Sequence, residues 1–267
     1  MKKYFSLFKL RLISGMQYRA AAWAGVVTQF FFGFFFIMLY IAFYSSSTSV
    51  PPMPIEQLIT YVWLMQSFFV MFAIWSQDET LLGQICDGHV AYEFTRPYDL
   101  YSFWYVRLMA SRLANVTLRF IPVITIAMLL PLPYTMGFPN SAVSLLLFII
   151  SLILSLILVV AISMYIYILT FKTVSSVGSK LIIVVISEFL MGGIIPIPLM
   201  PELLQKILNF LPFRYIMDLP FNLYLGNIIG IDAFLQILVQ LLFIVILIFF
   251  GKVLFKKSCR QVVIQGG

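Results

Sequence analysis

Charge is scarce in this chain. Asp, Glu, Lys and Arg make up 10% of its 267 residues and apolar types 62%, with a mean hydropathy of +1.04; soluble domains carry roughly 25% charged residues. A fold this apolar cannot cover its own surface in water, so a soluble protein is excluded. Histidine is nearly missing, with His89 the sole example, and the two cysteines, Cys86 and Cys259, show neither a disulfide framework nor metal spacing. No His/Cys/Asp/Glu cluster, nucleophile elbow or zincin helix occurs. Catalysis, bound metal and a resident cofactor are therefore not expected, and His89 reads as a solvated or partner-contacting residue. The net charge of +7 comes without clustered basic residues on a soluble scaffold, so nucleic acid is not an expected partner.

A phosphate-binding loop is missing too. Gly83 to Gly88 has the GxxxxG spacing, but His89-Val90 stands where Lys-Ser/Thr must follow, and no strand precedes it. If ATP drives this protein, another chain binds it.

What the chain does have is long apolar runs. Six reach or approach the ~20 residues that cross hydrocarbon: 20–44, 58–76, 107–131, 143–169, 181–200 and 233–254. The first is too long for the apolar core of a cleavable signal peptide and lacks a small-residue cleavage site. All but Lys206 and Arg214 of the 17 Lys and Arg residues fall on one side of this arrangement. That side is then cytoplasmic, both termini lie there, and an even number of spans is required. Trp23, Trp75 and Trp104 sit near the inner interface of this layout, and Trp63, Tyr40 and Tyr44 near the outer one.

Three further segments qualify the picture. Residues 1–19 place Tyr4, Phe5, Phe8, Leu12 and Met16 on one helical face, with Leu7 and Leu10 off it. This predicts an interface helix on the inner leaflet or, alternatively, an extension of helix one. Five of the 13 prolines fall between Pro196 and Pro220, so helix five is expected to break at Gly192-Gly193. Two short helices, Glu202–Leu211 and Phe213–Leu225, then form an outer re-entrant hairpin over 192–229. Gly226-Asn227-Ile228-Ile229-Gly230 has the GxxxG spacing but reads as the turn entering helix six. The cytoplasmic loop 77–105 carries a short helix expected to offer Leu81, Leu82, Ile85 and Val90 outward to a partner, or else to lie flat on the inner leaflet.

Two charges fall inside apolar runs. Glu188 lies ~12 Å up helix five from Lys180, and Arg119 ~18 Å up helix three from Arg107, at 1.5 Å per residue. A lone charge at such depth costs at least ~3 kcal/mol. They read either as lining of a translocation path or gate, together with Gly192 and Gly193, or as a structural ion pair; Arg119 could also snorkel to the interface.

The order of these features resembles the ABC-2 type ABC-transporter permeases, in particular the bacterial branch whose first cytoplasmic loop ends in Arg-Pro, here Glu93-Phe94-Thr95-Arg96-Pro97-Tyr98-Asp99-Leu100. The Gly192-Gly193-x-x-Pro196 break followed by Pro212 and Pro220 is the most specific match. The resemblance implies an all-α integral membrane fold of six transmembrane helices with both termini cytoplasmic. It implies an exporter of the cell membrane, built from two permease chains, alike or different, and two separate ATPase subunits. It also implies that residues 81–94, with Leu81, Leu82, Gln84, Ile85, Val90 and Phe94, form the coupling segment docking on the ATPase. A non-transporting anchor or sensor and a lipid-modifying membrane enzyme are the competing readings.

Overall fold

The computed structural model describes residues 2–46 and 51–260, and every regular element among them is helical. The order is α1 (Lys2–Gly15), α2 (Arg19–Ser46), α3 (Ile55–Phe72), α4 (Glu79–Cys86), α5 (Ala91–Phe94), α6 (Leu100–Leu129), α7 (Ala142–Thr173) and α8 (Ser176–Leu190). A 3-10 turn (Ile197–Leu199), α9 (Glu202–Leu208), α10 (Arg214–Leu225) and α11 (Gly230–Cys259) complete it. Side-chain caps set several of the starts. Asp78, Asp99, Ser141 and Ser175 each accept a hydrogen bond from a backbone N–H in the first turn of α4, α6, α7 and α8.

Five helices, α2, α3, α6, α7 and α11, are long and apolar enough to cross a membrane. The expected runs 20–44, 143–169 and 233–254 lie inside α2, α7 and α11. The 107–131 run begins earlier, at Leu100, and the 58–76 run stops at Phe72. Helix five is shorter than a full crossing. Residues 181–200 are not one helix: α8 has 15 residues, or ~22 Å of helix, against ~30 Å of hydrocarbon. It ends at the expected break, where Gly192 takes φ +84° and Gly193 N–H returns to Glu188 O at 3.0 Å.

The long α7 is the axis of the bundle, packing against α10, α11, α8 and α6. One end of the bundle gathers the basic residues. Lys3 Nζ donates to Pro97 O at 2.9 Å, and Lys180 pairs with Glu79 at 2.7 Å. Tyr101 and Trp104 at the start of α6 meet Phe255 near the end of α11 at ring separations of 5.6 and 5.3 Å. The start of α1 and the end of α11 therefore share this basic end. α1 runs alongside the first half of α6, with Gly15 against Ala114. Its half-buried face is Tyr4, Leu7, Phe8, Arg11, Leu12 and Met16, while Phe5 turns out. The stripe is thus rotated so that Leu7 belongs to it and Phe5 does not.

Candidate functional site

At the basic end the last carbonyls of α3 have no helical partners. The Arg112 guanidinium supplies them: it donates to Met71 O (3.1 Å), to Ala73 O (2.6 Å), to Ser76 O (3.2 Å) and to Ser163 Oγ (3.0 Å). A cation at a helix C-terminus also suits the helix dipole. One turn lower, Arg107 Nε donates to Asp78 Oδ2 at 2.6 Å, and Asp78 N–H donates to the Tyr167 hydroxyl at 2.9 Å. Burial and the neighbouring Arg107 cation lower the affinity of the Arg11 guanidinium for its proton, and Asp78 works against them. The segment after α3 is thus anchored to α6 and α7, and through Glu79–Lys180 to α8.

Arg119 lies two turns above Arg112, and Glu188 lies two residues before the end of α8. They come together with Gly193 as walls of one cavity of about 500 Å³ between α2, α3, α6 and α8. No ion pair joins them among the described residues. Gln29 and Gln66 also line the space; both are buried, and neither amide atom of Gln29 has a partner. Phe32, Phe36, Phe69, Phe72 and Trp75 form the apolar part of the wall. Gly25 makes room for the arginine: a Cβ there would stand 2.5 Å from Arg119 Nη1.

A second cavity, about 670 Å³ and polar, opens toward the other end. Gln57, Glu202, Lys206, Arg214, Asp218 and Asn222 are among its walls. What separates the two is the first half of α10 and the 191–197 turn. Met217 and Gly193 face the first cavity, and Asp218 and Ile197 the second. α10 has every residue from Tyr215 to Tyr224 buried. Its Asp218 accepts from Arg214 Nε at 3.0 Å, from Asn222 Nδ2 at 2.8 Å and from the Tyr61 hydroxyl at 3.5 Å. Below it, Gln240 Nε2 donates to Tyr215 O at 2.8 Å and to Ser155 Oγ at 3.1 Å, tying α10 to α11 and α7. Hydrogen bonds between helices of this kind hold apolar bundles in register.

Of the residues expected to carry function, the structure gathers Arg119, Glu188 and Gly193 at the first cavity. Gly192, just outside that wall, meets Ile197 at the barrier. The coupling segment requires a correction. Leu81, Leu82, Ile85 and Val90 do not face outward: Leu81 and Leu82 are 1% exposed, and all four pack into the main core. The apolar face of α4 finds α7 and α8 of its own chain. Gln84 is half-buried. Outward instead stand Tyr92 at 74% and Phe94 at 39% exposure, with Asp87 and His89 beside them. Gly226 (φ +76°) and Gly230 (φ +61°) form the turn expected between α10 and α11.

Sequence reasoning missed Gln29, Gln66, Arg112 and the Arg214–Asp218 pair. The signals were present: uncharged amides inside apolar runs, and opposite charges four residues apart in the proline-rich stretch.

The family model for ABC-2 family transporter proteins matches residues 30–266. No curated protein and no solved structure matches the chain. The match takes in most of α2, every helix from α3 to α11 and the second cavity; of the first cavity it leaves out Gly25, Thr28 and Gln29. The chain therefore belongs to the ABC-2 family of transporter proteins, as a multi-pass membrane permease that works with ABC ATPase subunits.

Proposed function

We propose that this chain is the permease of an ATP-driven exporter in a bacterial cytoplasmic membrane, with the basic end cytoplasmic and the polar cavity facing out. Six passes follow if α8 and the 191–225 segment together complete the fifth. The observation that carries the reading is the pair of cavities on opposite faces of one barrier. A substrate path open alternately to two sides needs a chamber on each side and a movable element between them. Here the barrier is the start of α10 with the Gly192-Gly193 turn, and glycine backbone absorbs large changes of φ and ψ at little cost.

ATP hydrolysis by the partner subunits would reach this barrier through α4. Asp78–Arg107 joins the start of α4 to α6, which carries Arg119. Glu79–Lys180 joins it to α8, which carries Glu188 and leads into Gly192-Gly193. The ATPase contact is assigned to the exposed tip, Tyr92 and Phe94, with Leu81, Leu82, Ile85 and Val90 holding that tip to the bundle. The resemblance supports a second permease chain, alike or different.

The test is ATPase stimulation by the permease in nanodiscs with its cognate ATPase subunits. Tyr92→Glu together with Phe94→Glu should abolish stimulation and co-purification while the permease stays folded. Unchanged stimulation by that variant would move the contact elsewhere. Failure of the wild-type chain to bind any ABC ATPase would remove the exporter reading.

A further inference from the structure

The first cavity holds an unusual set of unengaged groups. Arg119 and Glu188 are opposite charges on one chamber without being paired to each other, and Arg119 Nε is buried without a partner. Gln29, 3% exposed, leaves both its amide donor and its amide acceptor free. A buried polar group without a partner costs about 1–3 kcal/mol, more when charged. The free chamber is therefore under pressure to take something that answers each group.

A ligand with a single charge would satisfy Arg119 or Glu188 and leave the other uncompensated. A purely apolar ligand would desolvate both. The remaining wall is aromatic and thioether: Phe32, Phe36, Phe69, Trp75, Met65 and Met191. Methionine and flat rings accept apolar bodies of varied shape. Access for such a body is lateral: α2 and α8 both wall the chamber without packing closely on each other, α8 lying on α7 and touching α4. Trp75 and Phe69 at its rim are 51% and 40% exposed.

We propose that this cavity binds a net-neutral, zwitterionic amphiphile. Its anionic group meets Arg119, its cationic group meets Glu188 beside Trp75, the Gln29 amide bridges the two, and its apolar tail leaves between α2 and α8. Cationic head groups gain from an aromatic face as well as from a carboxylate. The proposal rests on this chamber being part of the substrate path, and it names the class of substrate that the path takes.

The experiment uses the full chain in phosphatidylglycerol nanodiscs, without ATPase or ATP. Three probes share one brominated dodecyl tail and differ in head group: phosphocholine, trimethylammonium and phosphate monoester. Binding is read as quenching of Trp75 in a Trp23→Phe background, since Trp63 and Trp104 are fully buried. The phosphocholine probe should saturate with a Kd at least about tenfold below the other two. Glu188→Gln should bring the phosphate probe level with it, and Arg119→Gln the trimethylammonium probe. Gln29→Leu, an uncharged change, should weaken the phosphocholine probe severalfold and keeps the test open if a charge variant does not fold. Equal or non-saturating binding of all three probes to the wild-type chain overturns the proposal, as does tighter binding of either singly charged probe. Competition by a phosphatidylcholine bilayer identifies a lipid, and its lack a single-chain amphiphile; the site stands in both. Selective binding without ATP-driven transport would sink the exporter reading alone, whereas transport without this ranking would sink the zwitterion site alone.

Discussion

Two glycines on α2 show how closely this bundle is fitted. Gly33 lies against the Trp63 ring, where an added Cβ would meet Cζ3 at 2.6 Å. That ring is fully buried and its Nε1 donates to Tyr134 O at 2.8 Å, so it cannot retreat. Gly33→Ala should therefore lower stability by about 1–3 kcal/mol, read from the unfolding midpoint in mild detergent. Gly25 faces instead the movable end of Arg119. Gly25→Ala should leave that midpoint almost unchanged and alter transport, because the guanidinium must shift within the cavity; a large drop in stability at Gly25 would mean that Arg119 is fixed there. Arg112 gives a second residue-scale prediction. Arg112→Leu strands several buried carbonyls at the end of α3, each costing about 1–3 kcal/mol, so little folded protein should be recovered. Arg112→Lys should rescue only part, since one ammonium cannot reproduce a planar fork reaching four acceptors; full recovery would reduce Arg112 to a simple charge.

Among the elements, α8 and α10 decide the character of the molecule. α8 stops short because Gly192 needs a positive φ and Gly193 lies against the backbone of its own last turn, 3.1 Å from Glu188 O to a would-be Cβ. Gly192→Ala should cost about 1–2 kcal/mol from the left-handed backbone alone, and it presses on Ile197 at 3.0 Å. If that turn belongs to the gate, transport should fall further than the loss of folded protein explains; a fall in strict proportion would make the turn merely structural. The break was legible in the sequence, since glycine pairs and closely spaced prolines end helices whatever surrounds them. The direction of α4 was not. Leu81, Leu82, Ile85 and Val90 form an apolar face in any environment, and only the position of α7 and α8 shows that the face turns inward.

For the whole molecule, the proposed orientation places the basic end in the cytoplasm and α9 outside. A cysteine introduced at Glu202, an exposed position, should react with a membrane-impermeant maleimide in intact cells. Cys86 and Cys259 should react only after permeabilisation. Labelling of Cys259 from outside would invert or renumber the passes. The two cavities divide along the same line: Arg119 and Glu188 wall one, and Glu202 and Lys206 wall the other.

Composition and periodicity by themselves determined that the chain is helical and membrane-embedded, that its basic residues gather on one side, and where helix five fails. These follow from the transfer of apolar groups out of water and from backbone limits that act locally. They also exposed Arg119 and Glu188 as misplaced charges, because a charge in an apolar run is anomalous wherever the helices go. Whether those two pair or share a chamber depends on the distance between α6 and α8, which no local rule fixes. The same holds for Asp218, whose carboxylate finds Arg214, Asn222 and Tyr61 only once α10 is folded back against α3 and α7. Tertiary structure decided these points, since hydrogen-bond partners and cavity walls are set by contacts between residues as far apart as Tyr61 and Asp218.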